Sequence, residues 1–508
     1  MTSILSSRAG GVTSDPVGCQ ATVRPRKAAV RELASGVVLT YRELDDRVAR
    51  AAGWLMARLG DPSGQRVAML GRNSIDLLVL SLACQRTGAI FVPLNWRLAG
   101  VEIAALVADC TPRLLVVDEE FAGVMAGPNV DLISTPDFAT AATGAAPRAP
   151  LFPAPGATIV LLYTSGTTGR PKGVIVTAEN AFYAALNFAL VGEVGPSTVS
   201  FSDLPMFHTI GLIAVARTTL MLGGTLVLAD RFVPSRTLAT LADVALGITH
   251  YFAIPVMVEA LTREASFAPA AFRLLHAVFV GGAPLSPALL DRFANLGVSL
   301  VNGYGMSEAG TVMHVPIDPD AVRASPGAVG YPAPYIDVRL VGPSGDAKPG
   351  ATGEVWLRGP SVTPGFWNQP GATEAAFSDG WYRTGDLAVI DPGGQYRIVD
   401  RLKDMYVSGG ENVYPAEVEA VLLSDPTVAD AAVIGAPDPR WGETGVAFIV
   451  PRVGTTVDPD RLTAFCATRL ARYKCPSRIV TIAAIPRSAA GKILKPILRE
   501  QLNRGVLT

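Results

Sequence analysis

The stretch LLYTSGTTGRPKGV, residues 161–174, places three glycines among hydroxyl and cationic side chains directly after an apolar run. The residues TIVLLY that lead into the loop are typical of a short buried strand, which would hold the loop at a sheet edge. Glycine lets backbone N–H groups approach an anion closely, and the threonines and Lys172 add donors and positive charge. The stretch therefore predicts a loop that binds phosphate.

This loop differs from a Walker loop, whose lysine is followed by Ser or Thr and leads directly into a helix. Here Lys172 lies between Pro171 and Gly173, and the chain continues as the strand-like run VIV. We therefore expect two strands joined by a turn that covers the phosphates. For any single loop rich in Gly, Ser and Thr, the alternative is an ordinary surface turn.

The composition indicates a globular protein. The chain has 508 residues, a formal net charge of −1, 49% hydrophobic residues and 17% charged residues. These values argue against a disordered or nucleic-acid-coating protein, and no apolar run is long enough to span a bilayer. The five cysteines are scattered and form no C-x-x-C pair. Together with a first segment unlike a secretion signal, this indicates a cytoplasmic protein without a thiolate metal site.

Helical and strand-like patterns alternate over the first two-thirds of the chain, as in SIDLLVLSLACQRTG followed by AIFVPL. This alternation predicts an α/β fold, with a large N-terminal domain of layered and largely parallel sheets. Residues 325–400 contain short strands between Gly and Pro turns, which indicates a β-rich subdomain. After Asp404 the pattern predicts a small, separate α+β C-terminal domain.

Four more polar motifs lie at the ends of predicted strands or helices: VNGYGMSEAG (301–310), GWYRTGDLA (380–388), VDRLKDMYVSGGENVYP (399–415) and PRSAAGKILK (486–495). Each one alone is compatible with a cap or a surface charge. Together with residues 161–174, and in this order, they resemble the adenylate-forming superfamily of acyl-CoA synthetases, adenylation domains and beetle luciferases. The resemblance covers residues 39–502. PMFH, GGENVYPAEVE and RLARYKCP are most similar to bacterial fatty and aryl acyl-CoA ligases.

The resemblance implies an ATP-dependent enzyme that converts a carboxylic acid to acyl-AMP and then to a thioester of coenzyme A, with release of AMP and pyrophosphate. The implied cofactors are ATP, Mg²⁺ and coenzyme A, and the implied substrate is an aryl or medium-chain apolar acid. A carboxylate that attacks a triphosphate needs cations at the reacting oxygens. Transfer to a carrier protein or another nucleophile remains the alternative. A homodimer and a separate acyl carrier protein also stay open, whereas nucleic acid and integral membrane contacts are not expected.

The resemblance also implies domains and residue roles. Residues 1–400 would bind ATP and the acid, 401–404 would be a hinge that turns about Lys403, and 405–508 would be a mobile lid that carries Lys492. Lys492 would bridge the carboxylate and the α-phosphate, Glu308 would bind Mg²⁺, and Asp386 would accept the ribose hydroxyls. The implied catalytic residues are Lys492, Glu308, Thr164 and His208. The implied ATP and CoA residues are Thr164, Ser165, Gly166, Thr167, Thr168, Gly169, Lys172, Gly282, Asn302, Tyr304, Gly305, Ser307, Asp386, Arg401, Lys403, Gly409 and Gly410.

The acid would bind among residues that are mostly small or apolar: His208, Gly211, Met257, Gly281, Gly303, Met306, Ala309 and Gly310. His208 stands where amino-acid-activating relatives often carry an aspartate, which argues against an amino acid substrate. Ile210 offers no hydrogen bond to a ring hydroxyl, which argues against a hydroxycinnamate. We interpret His250, His276 and His314 as structural. Ten Lys and Arg residues but one acid lie within 461–504, so this segment is either a solvated face or an attractor of CoA phosphates.

Overall fold

The computed structural model describes residues 15–123, 130–151, 153–164, 171–281, 285, 287–343, 345–348, 350–408, 411–488 and 491–504. Eight predicted site residues lie outside the described residues: Ser165, Gly166, Thr167, Thr168, Gly169, Gly282, Gly409 and Gly410. The chain divides into two compact units. The first comprises residues 1–337 and 357–382, and the second comprises residues 338–356 and 383–508.

The helices begin and end at recognisable signals. A capping box between Thr40 and Glu43 starts the second helix, and Gly88 in the left-handed conformation ends the third. The α-helices are α1 Gly18–Val23, α2 Tyr41–Leu59, α3 Ile75–Thr87, α4 Gly100–Cys110, α5 Thr135–Gly144, α6 Ala178–Val191, α7 Thr218–Met221, α8 Pro234–Ala242, α9 Pro255–Arg263, α10 Pro287–Ala294, α11 Pro319–Ala324, α12 Pro370–Ala376, α13 Pro415–Leu423, α14 Pro459–Ala467 and α15 Lys495–Asn503. A π-helix, Ile210–Arg217, precedes α7.

The strands of the first half are β1 Ala28–Glu32, β2 Val38–Thr40, β3 Arg66–Leu70, β4 Ile90–Leu94, β5 Leu114–Val117, β6 Asp131–Ser134, β7 Thr158–Thr164, β8 Lys172–Thr177, β9 Val199–Ser202, β10 Thr225–Leu228, β11 His250–Ala253, β12 Ala277–Gly281, β13 Leu300–Met306 and β14 Gly310–His314. They are followed by β15 Tyr331–Pro332, β16 Asp337–Gly342, β17 Gly345–Asp346, β18 Gly353–Arg358, β19 Phe377–Ser378, β20 Trp381–Ile390, β21 Tyr396–Arg401, β22 Tyr406–Ser408, β23 Glu411–Val413, β24 Val428–Asp438, β25 Gly442–Pro451 and β26 Arg478–Thr481.

The first unit contains two large sheets. One has nine strands in the order β15-β14-β13-β12-β11-β9-β10-β1-β2, and its strands from β13 to β1 are parallel. The other has six strands in the order β6-β5-β3-β4-β7-β8 and is parallel except for β8. The predicted α/β class is therefore confirmed. The carboxyl ends of parallel strands share one sheet edge, so β12 and β13 end side by side.

The core of the first unit lies on the faces of these sheets. Tyr251 and Phe201 stack with ring centroids 5.5 Å apart inside the nine-stranded sheet, and both side chains are fully buried. The central strands are almost continuously apolar and buried, as in β12, which is typical of parallel sheets covered on both faces. No helix in the described part of the chain is long and apolar enough to cross a membrane.

The second unit contains two smaller sheets. One follows the order β17-β16-β18-β20, with β21 antiparallel beside β20. The other follows the order β23-β22-β25-β24, with β26 parallel to β25. Helices α13 and α14 cover the second sheet through a core that includes Tyr406, Val433 and Ile449. The predicted β-rich strands and α+β unit thus both occur.

Candidate active site

The loop predicted to bind phosphate is flanked by two antiparallel strands. β7 and β8 pair from Thr158 and Thr177 to Thr164 and Lys172, so Thr164 and Lys172 face each other where the loop begins and ends. The ammonium of Lys172 lies 4.9 Å from the centre of the Phe366 ring. A cation above a ring face gains a modest stabilisation without losing its charge. The structure therefore holds both ends of the predicted loop in fixed positions.

The YGMSEAG motif forms a second hairpin, between β13 and β14. Met306 pairs with Gly310 and Gly303 pairs with His314, with a bulge after Tyr304. Glu308 lies in the turn, where its backbone carbonyl accepts a hydrogen bond from Thr363 N–H at 2.7 Å. Gly310 has a φ of +67°, and a Cβ there would lie 2.4 Å from the Cβ of Ala184. Only glycine allows the hairpin to approach α6 this closely.

Two of the implied ATP and CoA residues, Asn302 and Tyr304, lie on β13 and have different surroundings. The amide of Asn302 is buried and donates a hydrogen bond to the carbonyl of Ala328 at 2.7 Å. Tyr304 is half-buried, and its hydroxyl lies 4.0 Å from the sulfur of Met306. Gly305 and Ser307 follow on the same hairpin. The side chain of Asn302 therefore supports the strand that carries Tyr304 and Gly305 and leads into the turn with Ser307.

A cavity of about 40 Å³ lies beside this hairpin. Its walls come from α6, the π-helix, β11, β12, β13 and β14, and most of them are apolar or aromatic. The rings of Phe188, Phe252 and Phe279 form one wall, with centroids 5.3 to 6.2 Å apart. Flat aromatic walls of this kind accept an aromatic or aliphatic group and exclude water.

Four of the eight predicted pocket residues line this cavity: Gly281, Gly303, Met306 and Gly310. Among the described residues, the lining does not include His208, Gly211, Met257 or Ala309. Met257 instead packs in the core around α9, and Ala309 is fully buried in the hairpin turn. A Cβ on Gly211 would lie 2.5 Å from the carbonyl of Pro205, so that glycine serves a close backbone approach.

His208 lies next to a cation and an aromatic ring. Its ring centroid is 4.6 Å from that of Phe207. Burial, followed by the nearby charge of Arg97, lowers the pKa of His208 to about 4. Its buried Nε2 has no hydrogen-bond partner among the described residues. The imidazole is therefore neutral at physiological pH, in agreement with a wall or gate more than with a general acid.

Asp386 and Arg401 come together in the second unit. The two residues are cross-strand partners on β20 and β21, and Arg401 Nε lies 2.9 Å from Asp386 Oδ1. Asp386 is only 4% exposed, and its buried carboxylate has a charged partner in Arg401. Arg401 therefore forms an ion pair with another predicted site residue.

Lys403 follows Arg401 in a tight turn. Burial lowers the pKa of Lys403, and the positive charges of Arg401 and Arg499 act in the same direction. Asp404 and Asp386 oppose this effect. Asp404 also accepts a hydrogen bond from Arg499 at 3.2 Å. The positive and negative charges around Lys403 therefore partly compensate each other. The hinge assigned to residues 401–404 stays a prediction.

Lys492 lies in a tight turn just before α15. Gly491, immediately before it, has a φ of +78°, which favours glycine. The backbone carbonyl of Lys492 accepts a hydrogen bond from Ser488 N–H at 2.7 Å. Arg487 donates to the carbonyl of Gly491 and to both oxygens of Asp430, each at 2.8 Å. The Lys492 side chain is exposed, and the hydrogen bonds of Arg487 hold the turn that carries it.

Many cations of the basic segment 461–504 have acidic partners. Among the described residues, at least six of its ten Lys and Arg residues form ion pairs, namely Arg461, Lys474, Arg487, Lys495, Arg499 and Arg504. Five of these partners come from residues 404–430, outside the segment. The segment should therefore attract phosphate groups less strongly than its sequence indicates, because nearby carboxylates cancel much of its positive electrostatic potential.

Two family profiles match the chain. That of the AMP-binding enzyme family matches residues 19–367, and that of the AMP-binding enzyme C-terminal domain matches residues 417–492. The chain belongs to the AMP-binding enzyme family. This confirms the adenylate-forming, acyl-CoA synthetase class that the motifs predicted, with its large N-terminal and small C-terminal domains.

Relatives of this AMP-binding enzyme include CoA ligases over their full length. A feruloyl-CoA synthase of Amycolatopsis sp is 39% identical, with 97% of this chain and 99% of the relative aligned. The ATP-bound MatB of Rhodopseudomonas palustris has a TM-score of 0.88 and 30% identity, with 96% of this chain and 98% of that one covered. The o-succinylbenzoate CoA synthetase MenE of Bacillus subtilis, solved with ATP and a magnesium ion, has a TM-score of 0.86 and 30% identity, over 96% and 99% of the two chains.

One cavity residue of this AMP-binding enzyme was missed from the sequence. His314, interpreted there as structural, lines the cavity beside Phe279, with ring centroids 5.4 Å apart. His314 lies at the end of β14, opposite the predicted pocket residue Gly303. The sequence alone did not show that β13 and β14 pair in this register, so His314 could not be placed beside Gly303.

Proposed function

We propose that this AMP-binding enzyme activates an aryl or medium-chain apolar carboxylic acid as its acyl-adenylate and then forms the thioester of coenzyme A, with release of AMP and pyrophosphate. The carrying observation is the apolar, aromatic cavity that lies against the YGMSEAG hairpin. The cavity provides the space for an uncharged acyl group, and the hairpin turn provides Glu308 nearby in the same unit. ATP, Mg²⁺ and coenzyme A are the cofactors of this reaction class.

The first unit supplies the groups that hold the triphosphate and the acid. Thr164 and Lys172 flank the loop that would hold the β- and γ-phosphates. Their strand pairing fixes the distance between the two ends of this loop. Glu308 would hold Mg²⁺, which neutralises phosphate charge when bound. No group of three or more His, Cys, Asp or Glu side chains able to hold a metal occurs among the described residues. One carboxylate fits Mg²⁺, because this ion is usually held by one or two carboxylates plus substrate phosphates.

The second unit supplies the remaining polar roles. Asp386 would accept hydrogen bonds from the ribose hydroxyls, while Arg401 holds its carboxylate in orientation. Lys492 would neutralise charge on the carboxylate and α-phosphate as they react, which is the role that phosphoryl-type transfer demands of a cation. Lys403 would serve as the pivot for the second half-reaction.

A cytoplasmic location and a small-molecule acid partner complete the proposal. All five cysteines, which lie among the described residues, are free thiols. Free thiols are typical of a reducing compartment. A homodimer and a separate acyl carrier protein remain partners to be tested. Identifying the acceptor of the acyl group distinguishes coenzyme A from a carrier protein.

The test measures acid-dependent exchange of labelled pyrophosphate into ATP and, separately, CoA-dependent release of AMP. A panel of aryl and medium-chain acids should support both. The variant Lys492→Ala should abolish exchange but leave thioester formation from supplied acyl-AMP largely intact. Lys348→Ala removes an exposed lysine elsewhere in the same unit and serves as the matched control.

The outcomes separate the acceptors. Exchange together with CoA-dependent AMP release supports the CoA ligase. Exchange without any CoA-dependent turnover favours transfer to a carrier protein or another nucleophile. No exchange with any acid of the panel contradicts adenylation itself, and equal loss of both half-reactions in Lys492→Ala contradicts the role proposed for that lysine.

A further inference from the structure

His314 is a polar group that the rest of the cavity does not explain. It is the last residue of β14 and lines the cavity, and it is only 6% exposed. Neither of its ring nitrogens makes a hydrogen bond of normal distance and angle among the described residues, and the contact with the Val315 backbone is only a weak one. Buried polar atoms are nearly always hydrogen-bonded in folded proteins, and an unsatisfied one is costly. Its two nitrogens therefore indicate a partner that arrives with a ligand.

Two other histidines, His250 and His276, show how such a ring can be satisfied. Both nitrogens of His250 have partners, Thr249 at 2.8 Å and the carbonyl of Gly192 at 2.9 Å. His276 is exposed and lies 2.7 Å from Glu193. His250 stacks on the same Phe279 ring as His314 but does not line the cavity. The buried Nε2 of His208 also lacks a hydrogen-bond partner among the described residues, but His208 does not line this cavity. Among the described residues, His314 is thus the histidine whose unsatisfied ring lines the cavity.

The charge state of His314 restricts what it recognises. Burial lowers the pKa of His314 to about 4, against a smaller opposing effect of the Val315 backbone. The neutral imidazole has one N–H donor and one acceptor nitrogen. A hydroxyl group can donate or accept and so suits either nitrogen. A charged substituent would be buried without an opposite charge, which is far more costly.

The walls of the cavity indicate what carries the hydroxyl. The ring of Phe279 lies beside His314, and Phe188 and Phe252 line the same cavity. Such walls favour offset or edge contacts with another aromatic ring. Along β13 the distance from Met306, at the hairpin turn, to Gly303, opposite His314, is three residues or about 10 Å. This length suits a ring on a short side chain whose carboxylate lies near the turn.

We propose that His314 is a specificity-determining residue that hydrogen-bonds a hydroxyl group on the ring of an aryl acid, at the end remote from the carboxylate. This inference rests on the proposed function and deepens it by naming hydroxylated aryl acids as the substrate class. Ile210, which offers no hydrogen bond, also lines the cavity. The hydroxyl group would thus bind to His314 on the β13–β14 hairpin and not to residue 210 on the π-helix.

The test compares kcat/KM for three acids of one shape: para-hydroxyphenylpropanoic acid, its para-methyl analogue and unsubstituted phenylpropanoic acid, with the meta series in parallel. Pyrophosphate exchange is the readout. The wild-type enzyme should prefer a hydroxyl acid over its methyl analogue by roughly 5- to 150-fold, as expected when a buried partner is left unsatisfied. His314→Phe should retain exchange with the methyl acid and reduce the preference to about 2-fold or less.

Two more variants keep the test decisive. His314→Gln retains a donor and an acceptor and should keep part of the hydroxyl preference even if His314→Phe fails to fold. His276→Gln alters an exposed histidine outside the cavity and should leave the preference unchanged. Wild-type enzyme without a hydroxyl preference in either series, or His314→Phe that lowers the kcat/KM of all acids equally, overturns the inference while the proposed function stands. No exchange with any acid overturns the proposed function itself.

Discussion

Arg487 is expected to position Lys492, and its replacement by methionine tests this. The Arg487 guanidinium makes three hydrogen bonds of 2.8 Å, two to Asp430 and one to the carbonyl of Gly491, which directly precedes Lys492. The side chains of Arg487 and Asp430 are both 30% exposed. A partly exposed ion pair contributes up to about 1 kcal/mol and one further hydrogen bond about as much. Arg487→Met should therefore lower the free energy of unfolding by only about 1–2 kcal/mol.

The effect on adenylation should be larger than this loss of stability implies. Without Arg487 the turn that carries Lys492 loses its link to Asp430 but keeps local hydrogen bonds such as that from Lys492 N–H to Ser488 Oγ. A displacement of about 1 Å at a reacting group costs about 100-fold in rate. We expect kcat for pyrophosphate exchange to fall about 10- to 100-fold, and thioester formation from supplied acyl-AMP to change about 2-fold or less. Arg487→Lys keeps the charge but not the paired contacts and should be intermediate.

The matched control is Arg504→Met. Arg504 also pairs with a carboxylate near the C-terminal helix, but the side chains of Arg504 and Glu500 are 70% and 57% exposed. This exposed pair should contribute at most about 0.5 kcal/mol and leave both half-reactions unchanged. If Arg487→Met slows both half-reactions equally, or slows neither, Arg487 does not position Lys492 for adenylation.

Three further predictions concern stability and the cavity. Burial raises the pKa of Asp203 to about 7, so between about pH 4 and pH 7 the folded protein holds a proton that the unfolded chain has lost. Its free energy of unfolding should then fall by up to about 1.4 kcal/mol per pH unit as pH rises, and denaturant titrations of Asp203→Asn should show a flatter dependence. Gly281→Ala should fold, because its Cβ would meet Phe252 at an ordinary 3.4 Å. The added methyl group in the cavity should cut kcat/KM for aryl acids about tenfold relative to short-chain acids. Lys495→Met removes the ammonium group that lies 2.8 Å from the carboxylate of Glu419. It should lower the free energy of unfolding, measured by denaturant titration, by about 3–5 kcal/mol. An unchanged free energy of unfolding would show that this ion pair does not stabilise the fold.

Much of the fold was readable from local patterns. Helix α3 could be predicted because apolar residues repeat between a serine cap and a glycine stop, and both signals lie within one segment. The hairpin of β7 and β8 could be predicted because the loop between them lacks the helix start of a Walker loop. The motifs that identify the family are also short and contiguous, so a single sequence was enough to place them.

The cavity and the charge balance depend on residues that are distant in the chain. His250 and His314 both lie in apolar strands, and their neighbouring residues do not distinguish them. His250 is satisfied because Gly192, 58 residues away, faces it, whereas His314 faces the cavity. In the same way, Met257 lies in the core and not in the cavity lining because of how α9 packs on the nine-stranded sheet.

The sequence by itself therefore determined the fold class, the family and the positions of the chemical motifs, because these are set by short-range patterns of apolar, glycine and polar residues. Only the tertiary structure decided which polar groups are satisfied. Arg401 has Asp386 as its partner, and Arg487 has Asp430, across strands and turns that the sequence does not place side by side. Hydrogen-bond and charge satisfaction is a property of folded neighbours, so it emerges when the strands pair and the helices pack.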